Sequence, residues 1–294
     1  MTGFRNYTPG PAGAGALILW MLVGSVLGSA VTGMLTSILG YGVMEYSMLI
    51  SYPVMFIPPA LYAWYISRKN AETEPGYKLD NNHFGKAGLW GCALMAAVAT
   101  FAAGFMCDAV NSRMPEMPEQ LKTMLESMTA DGSFWVNFVC VSIFAPLCEE
   151  WLCRGMILRG LLNYRRKDGS RGMSAGWAIF ISALIFGLIH LNPWQALPAI
   201  VLGVLFGYVY WRTGSLKLTM LMHCFNNTLA LVVSRIDALA EAEYWTDILG
   251  NQMYMVSFAC LALPLVLIIL AFRRIPIDGE RSNCDTVPIG GDTD

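Results

Sequence analysis

Apolar residues run along this chain in long stretches separated by short polar segments. A helix needs about 20 mainly apolar residues to cross a bilayer. By that measure eight spans are predicted, over residues 16–39, 46–67, 86–108, 134–158, 174–191, 196–212, 215–235 and 252–272. The fifth and sixth are the shortest. Only Asn192, Pro193, Trp194 and Gln195 separate them, and the proline can neither continue a helix nor leave its predecessor free to be helical. The predicted class is an all-α, polytopic membrane protein whose spans form one bundle.

Composition agrees with the pattern: of 294 residues 55% are hydrophobic and only 14% charged, against roughly 25% charged in soluble domains. No segment between spans is long enough for a separate core. The division is therefore a cytoplasmic N-terminal segment (1–15), a transmembrane domain (16–272) and a disordered tail (273–294). The first span is too long to be a signal-peptide core. The eight cysteines fall mostly inside apolar segments without a CxxC pair and read as small core residues. With a net charge of -2 and no basic cluster interleaved with aromatics, nucleic acid is not an expected partner.

Charge placement orients the bundle. Arg5, the 68–86 loop, the run from Arg159 to Arg171, Arg212 with Lys217, and Arg273, Arg274 and Arg281 share one side if there are eight spans; Arg113, Lys122 and Arg235 fall on the other. Basic residues gather in cytoplasmic loops, so both termini are expected in the cytoplasm of what reads as a bacterial cell. Gly24 with Gly28, and Gly203 with Gly207, are GxxxG patterns that let helices approach closely. Leu121, Met124, Leu125 and Met128 recur at helical spacing and predict a surface helix over 118–128 on the outer face.

Against this background the fourth span is anomalous, because it carries Glu149, Glu150 and Arg154. Each such group costs about 2.5–3.5 kcal/mol at bilayer depth by insertion scales, so it marks an interior or wet cavity. Glu150 and Arg154 are four apart and can pair, while Glu149 points elsewhere and needs a partner from another helix. Pro146 loosens the helix just before them. His190 ends the fifth span with Phe186 one turn behind it. His223 lies in the seventh with Asn227 one turn ahead.

An acid pair, two imidazoles and an amide suit the activation of water: a carboxylate takes the proton, an imidazole holds the water, and donors stabilise the oxyanion. The alternative is a catalytic zinc held by Glu149, His190 and His223, although no H-E-x-x-H pair makes it specific. The preferred reading has no cofactor. One depth problem arises. Counted from their starts at Ser174 and Ser215, His190 lies about 24 Å along its helix and His223 only about 12 Å.

Together these motifs resemble the CAAX prenyl protease family of intramembrane proteases, with its bacterial CPBP or abortive-infection relatives. The family's E-E-x-x-x-R, F-x-x-x-H and H-x-x-x-N signatures correspond to Glu149-Glu150-x-x-x-Arg154, Phe186-x-x-x-His190 and His223-x-x-x-Asn227. The likeness covers roughly 134–235. It implies that Glu149 is the catalytic glutamate, that His190 activates water with it, and that His223 and Asn227 stabilise the oxyanion. Glu150, Arg154 and Phe186 then support them, and a cavity opens to the cytoplasmic side. The function expected is an intramembrane endopeptidase acting on a peptide or membrane-protein substrate among membrane lipids. A non-enzymatic immunity or scaffold protein is the alternative, and a transporter a further one.

Overall fold

The computed structural model describes residues 2–73, 76–123, 133–166, 168–236, 239, 242 and 244–277. Among these residues eight helices of at least 14 residues follow in order: α1 (Pro11–Leu39), α2 (Ser47–Lys69), α3 (Gly88–Asn111), α4 (Phe134–Leu162), α5 (Ala175–Leu188), α6 (Pro193–Thr213), α7 (Leu216–Val233) and α8 (Trp245–Arg273). No strand occurs among the described residues; Arg165 and Arg171 form an isolated bridge. The chain is an all-α polytopic membrane protein. Seven of the described helices are long and apolar enough to cross a membrane.

The eight-span expectation needs one correction. Helix α5 has only 14 residues, about 21 Å at 1.5 Å per residue against a hydrocarbon layer of roughly 30 Å. It stops before the predicted end because Leu191 takes φ 59 and the Asn192 side chain accepts from Gln195 N–H to start α6. Helix α8 is interrupted at Gly250 (φ 70), so its long arm matches the predicted last span. Residues 119–123 are helical. The rest of the predicted surface helix, and residues 278–294 of the predicted tail, lie outside the described residues.

Both GxxxG patterns are contact faces. A Cβ on Gly24 would stand 2.0 Å from Met55 O, and one on Gly28 2.7 Å from Ser51 O, so α1 and α2 touch backbone to backbone. A Cβ on Gly203 would stand 3.0 Å from Ala183 Cα of α5, and one on Gly207 3.1 Å from the Ile179 side chain, so this second contact is looser and partly through side chains. Gly24→Ala is therefore expected to overpack the α1–α2 contact and destabilise the protein by about 1–3 kcal/mol. Gly33→Ala, with nothing within 4 Å, is the matched control in thermal melts of the detergent-purified chain.

Helix α4 is the axis of the bundle: 56% of its apolar window is buried, against 6% for α8. Arg159, counted by the charge pattern among loop residues, is instead buried in α4. Its guanidinium donates to Tyr7 O and Tyr77 O, both at 2.7 Å, and to Phe4 O at 3.1 Å. This ties the N-terminal segment and the loop after α2 to the end of α4. Arg212 likewise donates to the carbonyls of Phe272, Arg273 and Ile275 at the end of α8, satisfying acceptors that a helix end leaves open. Asn81 N–H and His83 N–H bond to Gly214 O and Thr213 O, joining the 79–83 loop to the α6–α7 turn. Most of the segments that the charge pattern assigned to one side therefore gather at one end of the bundle.

Candidate active site

The motif helices begin on caps that their sequences supply. Ser174 accepts from Trp177 N–H at the start of α5, and Ser215 from Leu218 N–H at the start of α7. Asp80 adds a second acceptor at α7, taking Leu216 N–H at 2.9 Å. Register follows from two contacts. Ser182 Oγ donates to Cys153 O at 2.8 Å, and Leu216 packs on Gly155. By these pairings α7 starts about 7 Å further in than α5, at 1.5 Å per residue. That offset answers most of the depth problem: His223 falls level with Glu149, and His190 about one turn deeper.

Around the acids α4 is not a regular α-helix. The stretches Phe138–Phe144 and Trp151–Leu158 have the wider π turn, and the α segment Ala145–Glu150 lies between them. Pro146 lacks the N–H that would bond back across this join, and π turns concentrate at functional sites.

Glu150 and Arg154 are fully buried and pair at 2.8 Å. Arg154 also donates to Gly203 O at 3.1 Å, and its guanidinium lies over Phe186 at 4.4 Å and Phe206 at 5.4 Å from the ring centroids. Glu150 Oε1 further accepts from His223 Nδ1 at 3.1 Å. An ionised carboxylate only accepts, so Nδ1 carries the proton in that bond and Nε2 points away from Glu150.

His223 Nε2 lies 3.8 Å from Glu149 Oε2, beyond a direct hydrogen bond. Glu149 is buried. Its Oε1 accepts from the Tyr52 hydroxyl of α2, and its Oε2 has no hydrogen bond to any described residue. His190 sits just past the end of α5, with Nδ1 2.9 Å from Phe186 O. Both imidazoles pack edge-on to the Phe186 ring, at 5.5 and 5.4 Å between centroids. Asn227 donates to Val141 O at 2.8 Å, and its Oδ1 accepts from Asn226.

The seven predicted residues thus form one connected cluster. Glu149, Glu150, Arg154 and His223 are linked through polar contacts and Phe186 through its ring. His190 touches the rest through Phe186, and Asn227 through the backbone of α4. Sequence reasoning missed Tyr52. It lies 97 residues before Glu149, and no spacing connects the two. Beside the cluster a cavity of about 300 Å3 opens between α4 and α7, with Ser142, Pro146, Met220 and Cys224 in its wall.

The zinc alternative requires Glu149, His190 and His223 as a three-donor set. Among the described residues no group of three or more His, Cys, Asp or Glu side chains is arranged to hold a metal ion. Glu149 and His223 approach one another, but His190 does not join them. Seven of the eight cysteines are described, all as free thiols.

A family model described as type II CAAX prenyl endopeptidase Rce1-like matches residues 131–229, the segment from α4 through Asn227. Among curated proteins, the UPF0177 protein YaiF of Lactococcus lactis subsp. lactis (strain IL1403) is 30% identical over 118 residues, covering 40% of this chain. The match spans about half of that relative, 48% of its length. No solved structure matches the chain. Residues 131–229, where all three motifs lie, are thus similar to the Rce1-like family of type II CAAX prenyl endopeptidases.

Proposed function

We propose that the protein is an intramembrane endopeptidase in which Glu149 activates water against a peptide carbonyl. The observation that carries this reading is the pair Glu149 Oε2 and His223 Nε2, buried, 3.8 Å apart and each turned toward the other. Water there gives a proton to Glu149, and its oxygen attacks the carbonyl carbon. The substrate oxygen becomes the oxyanion and is met by donors. The C–N bond then breaks, and Glu149 returns the proton to the leaving amine.

The other side chains divide the remaining work. Glu150, itself held by Arg154, orients His223 through Nδ1. When both ring nitrogens carry protons, Nε2–H is a donor for the oxyanion, with the Asn227 amide as the second. His190, its Nδ1 engaged by Phe186 O, has Nε2 left as the ring nitrogen assigned to holding the water. The cavity between α4 and α7 offers a peptide a path from the membrane to these groups. The basic end of the bundle is assigned to the cytoplasm by the positive-inside rule.

Tyr52 is a positioning residue in this scheme: its hydrogen bond to Oε1 keeps Oε2 turned toward His223. Tyr52→Phe is expected to lower kcat by about tenfold, the scale of one hydrogen bond to a charged group. KM should change little, and the melting temperature should fall modestly because the buried Oε1 loses its donor. A variant that cleaves at the wild-type rate removes Tyr52 from the mechanism.

The reading itself is tested by incubating the detergent-purified protein with a library of membrane peptides, with and without chelator. Defined cleavage products that persist with chelator are expected. Loss of cleavage that added zinc restores supports the metal version instead, and no cleavage of any peptide favours a binding role.

A further inference from the structure

Between α4 and α5 the chain turns back on itself through Tyr164–Gly172. Arg166 N–H bonds to Ser170 O at 2.9 Å and Gly172 N–H to Tyr164 O at 2.9 Å, around the Arg165–Arg171 bridge. Among its described residues this hairpin carries Arg165, Arg166 and Arg171 against a single acid, Asp168. That acid is exposed but engaged within the loop, where Asp168 Oδ1 accepts from the Ser170 N–H at 2.9 Å and its hydroxyl at 2.6 Å. The hairpin therefore presents mostly cationic groups to its surroundings.

Where it meets α5 there is an open pocket of about 410 Å3 lined by Arg166, Arg171, Met173, Ser174, Trp177 and Ile181. The pocket has two chemically distinct ends. Two guanidinium groups and the start of α5 form one, where helical N–H groups without intrahelical partners favour negative charge. Trp177 and Ile181, four apart on one face, form the other. Trp177 is 63% exposed, and neighbouring Phe180, with its ring edge-on to Trp177, is 44% exposed. Aromatic side chains exposed at the end of an apolar helix belong at headgroup level.

We propose that this pocket binds the anionic headgroup of a membrane phospholipid, with the lipid's acyl chain running down the Trp177–Ile181 face. Anionic lipids attract basic residues beside a span, and the apolar wall distinguishes a lipid from a free anion, which could use only the cationic end. The site also has a consequence for α5. A helix of 14 residues falls short of the bilayer, and its flanking anchors decide at which end the shortfall occurs. Holding Ser174 at the headgroups draws the other end, with His190, into the membrane interior. The inference concerns lipid binding alone and does not depend on the proposed peptidase activity.

The test titrates detergent-purified full-length protein with dihexanoyl phosphatidylglycerol, dihexanoyl phosphatidylcholine or inorganic phosphate, following the melting temperature and, by native mass spectrometry, bound lipid. Saturable binding of the phosphatidylglycerol alone is expected, weakening as salt is raised. In the Arg166→Gln/Arg171→Gln double variant the affinity should fall at least about tenfold, given the contribution of each basic residue near an anionic surface. Equal binding of phosphatidylcholine, equal binding of inorganic phosphate, or undiminished affinity in the double variant each overturns the proposal. Should that variant fail to fold, the salt series on the wild-type protein decides, and binding indifferent to salt rejects the site.

Discussion

Glu149→Gln is expected to abolish measurable peptide cleavage, lowering kcat by about 1,000-fold or more, the upper part of the range for loss of a general base. The amide keeps the size of the carboxyl, and it still accepts from Tyr52 through its oxygen. It cannot take a proton from water. Fold is expected to survive, because the substitution removes a buried charge that, among the described residues, has no ion-pair partner other than His223 at 3.8 Å, so the melting temperature should stay near the wild type or rise. Both quantities are read on one preparation, cleavage by mass spectrometry of products and stability by thermal melting. Turnover within tenfold of wild type would eliminate Glu149 as the base.

The second large effect is structural. Arg154→Met leaves the fully buried Glu150 without its guanidinium partner and also removes the bond to Gly203 O and the cation–π contacts with Phe186 and Phe206. Breaking a buried pair by removing one member costs about 3–5 kcal/mol, chiefly because the remaining charge is stranded. The expected outcome is a markedly lower melting temperature and loss of activity. Glu150→Gln/Arg154→Met should recover much of the stability, since no charge is left uncompensated. It should recover little activity, because the introduced amide holds the imidazole of His223 less firmly than a carboxylate does. A double variant no more stable than the single one would mean that Arg154 acts through packing and not through its charge.

The buried arginines separate what could be read from the chain and what could not. Arg154 was legible because it interrupts an apolar run four residues after an acid, where helical geometry alone brings the two together. Arg159 was not, since an arginine at the end of an apolar span usually reaches water. Its partners are backbone carbonyls of the N-terminal segment and of the loop after α2, and carbonyls leave no mark in a sequence. Tyr52 escaped for a related reason: one more aromatic in an apolar helix is indistinguishable from lipid-facing residues until α2 is set against α4. The 14-residue length of α5 was hidden by Ile189, His190 and Leu191. They extend the apolar run but follow the point where the backbone leaves the helix.

What the sequence determined alone was therefore what depends on local pattern: seven of the spans, the grouping of basic segments, and the three motifs with their members on common faces. It identified the two glycine pairs, because small residues at that spacing have one main use in a membrane. Only the tertiary structure decided how far each helix slides along its neighbours, and hence that His223 stands level with Glu149 while His190 lies deeper. Sliding is set by contacts such as Ser182 with Cys153 and Leu216 with Gly155. These join residues far apart in the chain, and in lipid such packing and interhelical hydrogen bonds, more than hydrophobic burial, hold helices together.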